Sequence, residues 1–186
     1  LLPLAAQYDA DFVGLLWGPE GMPRDENERG ALCAELVFKA TGEFGIAPER
    51  MLIDPIQTPV NVQQGQIMSV LEFMKMFDDI APGCRSTIGL SNVSNGPPEH
   101  LRPILNQVML IIWKRHGLYS AIVDCFDTPL HEIARGQRPE LEALVAKVED
   151  GEPIDMSKLS KEEIDYVKTT KVILGHPLFS DSWPEV

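Results

Sequence analysis

Basic residues, cysteines and long apolar runs are all scarce in this chain of 186 residues, and each shortage removes a class of function. Lysine and arginine number 16 against 28 acidic residues, a formal charge of −12, so no broad basic face is available to neutralise phosphates. No nucleic-acid partner is expected. The longest apolar run, Val108 to Trp113, falls far short of the ~20 residues a bilayer crossing needs, and no membrane association is expected. Cys33, Cys84 and Cys125 are odd in number and widely spaced, which disfavours a disulfide framework and points to a reducing, cytoplasmic setting. The four histidines, His100, His116, His131 and His176, are equally scattered. With no HxxxH or CxxC spacing to gather ligands, no protein-bound metal is expected.

What is present is ordinary globular material, 44% hydrophobic and 24% charged, arranged as short strands alternating with longer helices. Leu1 to Asp9 reads as a helix end leading to a strand at Phe12 to Trp17, and a helix follows from Glu28 to Phe44. A second strand, Met51 to Ile56, precedes a helix from Ile67 to Ile80. The third strand is read as Ser86 to Val93 and its helix as Pro98 to Arg115, stopped by His116-Gly117. A fourth strand, Tyr119 to Cys125, leads to a short helix from Pro129 to Arg135. Four βα units are half of a (β/α)8 TIM-type barrel. Two units of organisation are expected: residues 1–136, the half barrel, and residues 137–186, a helical C-terminal extension in which Ser160 and Glu163 form a capping box. Because four βα units leave two sheet edges unpaired where a closed barrel leaves none, the chain is expected to be a fragment of a longer protein.

The segment Gly89-Leu90-Ser91-Asn92-Val93-Ser94-Asn95-Gly96-Pro97-Pro98 ends an apolar run in amides and hydroxyls. In parallel α/β architectures the C-terminal strand ends form the mouth where ligands collect, so Asn92 is the first candidate. The same residue types also build strand-to-helix turns, and composition alone leaves both readings open.

Four pieces of sequence taken in order resemble the methyltetrahydrofolate-corrinoid methyltransferases, a family of pterin-binding barrels that includes the folate module of cobalamin-dependent methionine synthase. They are Gly21-Met22-Pro23-Arg24-Asp25 with Arg29; Ile53-Asp54-Pro55-Ile56 followed by Pro59, Asn61 and Val62; Gly89 to Ser94; and Gly117-Leu118 with Ser120 to Asp124. The resemblance spans residues 1 to about 135 and implies the C-terminal half of the barrel. It implies that Asp54 accepts hydrogen bonds from the pterin's N–H edge, a task suited to an ionised carboxylate, which only accepts. It also places Asn92 beside N5, the folate atom that loses its methyl group, as the catalytic residue. Ser91, Ser94 and Asp124 are further candidates for the substrate pocket. The implied reaction moves the N5 methyl of methyltetrahydrofolate to the cobalt of a corrinoid (cobalamin) carried by a separate partner protein. Folate is thus the small-molecule substrate, the corrinoid belongs to the partner, and a homodimer is among the assemblies this reading admits. The further carboxylate and asparagine of the family's early strands have no counterpart here, and Gly18 stands where some relatives carry a polar residue.

Two other readings compete. Dihydropteroate synthase shares the fold, but its pyrophosphate chemistry calls for basic residues, and here Asp54-Pro55 is followed by Ile56-Gln57 and the later segment is Ser91-Asn92-Val93. The other is a non-catalytic module that docks a corrinoid protein.

Overall fold

The computed structural model describes residues 1–185; Val186, the last residue of the expected extension, lies outside them. The chain is α/β, with strands β1 (Phe12–Leu15), β2 (Met51–Asp54), β3 (Arg85–Gly89) and β4 (Ser120–Ile122) adjacent in that order in one sheet. The β1–β2 and β2–β3 pairs are parallel, with Leu15 opposite Asp54 and Ile53 opposite Ser86. Sequential parallel strands need helical crossovers, and each connection supplies helix, an arrangement consistent with a half barrel. The helices are α1 (Leu2–Gln7), α2 (Glu26–Phe38), α3 (Val60–Lys75), α4 (Phe77–Ile80), α5 (Arg102–Arg115), α6 (Thr128–Ala134), α7 (Pro139–Glu149) and α8 (Lys161–Ile173).

Contacts divide the chain into two compact units. The first comprises Leu1–Ile56, Ser69–Gly89 and His116–Ala121 and holds the sheet up to Ala121. Strand β1 alternates: Phe12 is buried, whereas Val13 and Leu15 are 50% and 53% exposed, so one apolar face of β1 stays open. On the buried side Gly14 lies so close to Leu36 of α2 that a Cβ would collide with the leucine methyl. Ser86 ties β4 to β3, its Oγ accepting from the Tyr119 N–H at 3.0 Å and its carbonyl accepting from Ser120 Oγ at 3.3 Å.

The second unit comprises Gln57–Met68, Leu90–Arg115 and the chain from Ile122 onward, and is built around α5. Every residue of α5 from Leu105 to Trp113 is buried, and α6, α7 and α8 pack against it. Trp113 Nε1–H donates to Gln57 Oε1 at 2.8 Å, so the largest buried side chain of this helix leaves no polar atom unpaired. Leu144, Val148 and Val167 form the apolar seam between α7 and α8. At the end of α5, Arg115 forks onto both oxygens of Asp150 at 2.7 and 2.8 Å.

Several boundaries differ from the sequence expectation, each for a local reason. The third strand ends at Gly89 rather than Val93, because β2 gives way to Pro55, which has no N–H to continue the ladder. Residues Leu90–Ser94 instead form a 3-10 turn, and α5 itself begins at Arg102 after a further 3-10 turn, Glu99–Leu101. Helix α3 starts at Val60, seven residues early, and passes through a non-helical Gln63. The expected stops hold: Gly117 adopts φ +80° after α5, where a side chain would be strained. The Ser160–Glu163 capping box is present at the start of α8.

Candidate functional site

In the first unit the candidate is Asp54, the last residue of β2. Its backbone is held in the ladder, its carbonyl accepting from the Leu16 N–H at 3.0 Å. Its carboxylate is partly buried and accepts from the Ile56 N–H at 2.9 Å, closing a tight turn over Pro55. Burial raises the pKa of this carboxyl above the ordinary aspartate value, and the Ile56 hydrogen bond pulls the other way. Ile56 sits at φ +70°, a region costly for a β-branched side chain, so this turn stores strain of about 1–3 kcal/mol beside the carboxylate. What holds it is Arg29 of α2, which is fully buried. Its Nε–H donates to the Pro55 carbonyl at 2.9 Å and its Nη1–H to Ser69 Oγ at 2.8 Å. The guanidinium thus braces the backbone that aims Asp54. Farther along the same unit, the loop after β1 and the face of α2 enclose a cavity of about 460 Å³, lined by Gly21, Met22, Pro23 and Arg24 among others. Arg24 is paired with Glu28 across its rim.

In the second unit, Leu90–Ser94 of the segment that begins at Gly89 does not prolong the strand and folds as a 3-10 turn. Asn92 is exposed on it, and its carbonyl accepts from the Asn95 N–H at 3.1 Å. Ser94 points inward and is fully buried; its hydroxyl donates to the Ser91 carbonyl at 3.1 Å and accepts from Arg102 Nε at 3.4 Å. Ser94 therefore shapes the turn from beneath. Gly96 follows at φ +103°, where a Cβ would come within 2.5 Å of Asn61 Nδ2. Asp124 is exposed just after β4 and accepts from the Phe126 N–H at 2.9 Å. Of the expected residues, Ser91 and Asp124 line one cavity of about 400 Å³. Arg102, Asn106, Gln107 and Asp127 are among the polar residues of its wall, with Phe126 beside them. Asn92 and Ser94 are not among its lining residues. Asn106 is 6% exposed and its Oδ1 is buried without a hydrogen-bond partner.

Known proteins similar to this chain include two methionine synthases and a methyltransferase. It is 28% identical to a methionine synthase of Mycobacterium tuberculosis over 142 residues, which is 74% of this chain and 12% of that protein. A methionine synthase of Mycobacterium leprae is 28% identical over 144 residues, again 74% of this chain and 12% of the relative. A methylcorrinoid:tetrahydrofolate methyltransferase of Eubacterium limosum is 26% identical over 126 residues, 67% of this chain and 45% of the relative. The chain is related to the methyltetrahydrofolate-corrinoid methyltransferases. No family model matches it. The chain spans less than half the length of these relatives.

For a relative of these methyltransferases, the sequence reading picked out the turn residues but missed the helix behind them. Arg102, Asn106 and Gln107 lie on α5, which reads as a plain apolar-periodic helix. The available signal was the Asn106-Gln107 pair, two amides in succession inside an otherwise apolar stretch, where buried polar groups are costly unless partnered. Among the described residues no group of His, Cys, Asp or Glu could hold a metal ion. No helix among them is long and apolar enough to cross a membrane.

Proposed function

We propose that this chain contributes to a methyltransferase that moves the N5 methyl group of methyltetrahydrofolate to the cobalt of a corrinoid carried by a partner protein. The observation that carries this reading is the similarity to methionine synthases and to a methylcorrinoid:tetrahydrofolate methyltransferase. Asp54 gives it a chemical footing, as a strand-end carboxylate aimed by a braced, strained turn.

Asp54 accepts from the pterin's amino and ring N–H donors. The methyl leaves N5 without its bonding pair; the cobalt(I) supplies the pair for the new bond, and N5 keeps the old one and takes a proton. A tertiary amine is a poor leaving group, so hydrogen bonding at N5 must strengthen as the bond breaks. Asn92 supplies it, since an amide both donates and accepts and can follow N5 through its change of protonation. Ser91, Ser94 and Asp124 shape the pocket, and the reaction takes place in the cytoplasm.

The test is equilibrium binding of methyltetrahydrofolate together with single-turnover methyl transfer to a cobalt(I) corrinoid. Asn92→Ala should slow transfer by about a hundred- to thousandfold, the usual cost of losing one transition-state donor, while weakening folate binding far less. Parental transfer rates in that variant would return Asn92 to a turn residue. A chain that binds a corrinoid protein but no folate would be a docking module instead.

A further inference from the structure

Behind the cavity of the second unit runs a buried polar relay. Tyr166 of α8, 2% exposed, donates its hydroxyl to Gln107 Oε1 at 2.7 Å. Gln107 of α5, 7% exposed, donates from Nε2 to both oxygens of Asp127 at 2.9 and 3.1 Å. Asp127 Oδ1 also accepts from the Leu130 N–H at 3.0 Å, capping α6. Three residues before Asp127, Asp124 accepts from the Phe126 N–H, and Gln107, Asp124, Phe126 and Asp127 all line the cavity.

Every polar atom of the Gln107 amide is used in one sense only. Its oxygen faces a phenol that burial holds in the protonated, donating form, since the Tyr166 pKa is raised well above the usual tyrosine value. Its nitrogen must then face Asp127. An apolar pair at these positions would fill the space at less desolvation cost but would leave the Asp127 carboxylate held by the Leu130 N–H alone.

We propose that Tyr166 and Gln107 are positioning residues through which α8 fixes the Asp124–Asp127 turn and thereby the shape of the ligand cavity. This gives the C-terminal helix a task in the reaction, and it rests on the reading that Ser91 and Asp124 shape the methyltetrahydrofolate pocket. Gln107 and Asp127 stand in the cavity wall, and Tyr166, which does not, acts on it only through them.

Tyr166→Phe removes one hydroxyl and no volume, so the fold should persist. Amide hydrogen exchange at Leu130 and Phe126 should quicken by roughly five- to tenfold, the effect of loosening one buried hydrogen bond, with α7 and the sheet unchanged. The KM for methyltetrahydrofolate should rise several-fold with kcat nearly constant. Gln107→Glu, which keeps the Tyr166 bond but sets a carboxylate against Asp127, should do the same. Adding Tyr166→Phe to Gln107→Leu should change nothing further, because the relay is already cut. Unaltered exchange at Leu130 and Phe126 in Tyr166→Phe would overturn the relay. Faster exchange with unaltered folate binding would overturn its service to the cavity. If the parent chain binds no methyltetrahydrofolate, the functional reading fails, and the relay stands or falls on the exchange result.

Discussion

Asp54→Asn should separate stability from binding, because the structure makes this carboxylate a burden to the fold and an asset to the ligand. Burial raises the Asp54 pKa above its reference value of 3.8, so folding disfavours the ionised form relative to the unfolded chain. A carboxyl raised on folding adds stability below its unfolded pKa, and that contribution is lost as pH rises through the folded value. Near neutral pH the parent therefore carries a penalty that asparagine lacks. The substitution keeps an Oδ1 to accept from the Ile56 N–H, so the turn at Ile56, with φ +70°, should survive. Thermal unfolding should find Asp54→Asn at least as stable as the parent at pH 7, with the difference closing by about pH 3, below the reference aspartate pKa. Methyltetrahydrofolate binding at pH 7 should weaken about ten- to hundredfold, the equivalent of one charged hydrogen bond at about 1.5–3 kcal/mol. A variant that is less stable than the parent at pH 7, or a stability gap that does not change with pH, would refute the assignment of burial as the dominant influence. Unchanged binding would leave Asp54 as the keystone of a turn.

Three further outcomes are expected. Gly96→Ala places a side chain at φ +103° against Asn61 and should destabilise the chain by about 1–3 kcal/mol in denaturant titration; a loss below measurement error would show that the turn relaxes freely. Ser160→Ala removes the hydroxyl that accepts from the Glu163 N–H at 3.3 Å and should cost about 0.5–2 kcal/mol, with local fraying of α8 visible as faster exchange in its first turn. With a thiol reagent at pH 8 the exposed Cys125 should react first; Cys33, fully buried and with its pKa pushed up to about 12, should resist until unfolding.

How far the sequence could be read differs between the two candidate regions. At Asp54 the strand was expected to run on to Ile56, but it stops at Asp54 because the proline that follows has no N–H to extend the ladder, which leaves the carboxylate at its end. The bracing by Arg29 was not visible, although Arg29 stood in a recognised motif. Its partners Pro55 and Ser69 lie 26 and 40 residues away, and nothing in the spacing says that they meet. The segment that begins at Gly89 was recognised by its residues but assigned to a strand; its Leu90–Ser94 part folds as a turn because Ser94 and Arg102 tie it from below.

The sequence by itself determined the alternation of strand and helix, the stop at Gly117 and the cap at Ser160. These depend on neighbours within a few residues, where backbone sterics and short hydrogen bonds decide the outcome. Tertiary structure alone decided which polar groups serve the cavity. Asn106 and Gln107 are two amides in an apolar helix until α6 and α8 pack on them; only then does Gln107 lie between Tyr166 and Asp127. Local propensity fixes an element, but hydrogen-bond partners 20 and 59 residues apart are chosen by packing, which no short window of sequence contains.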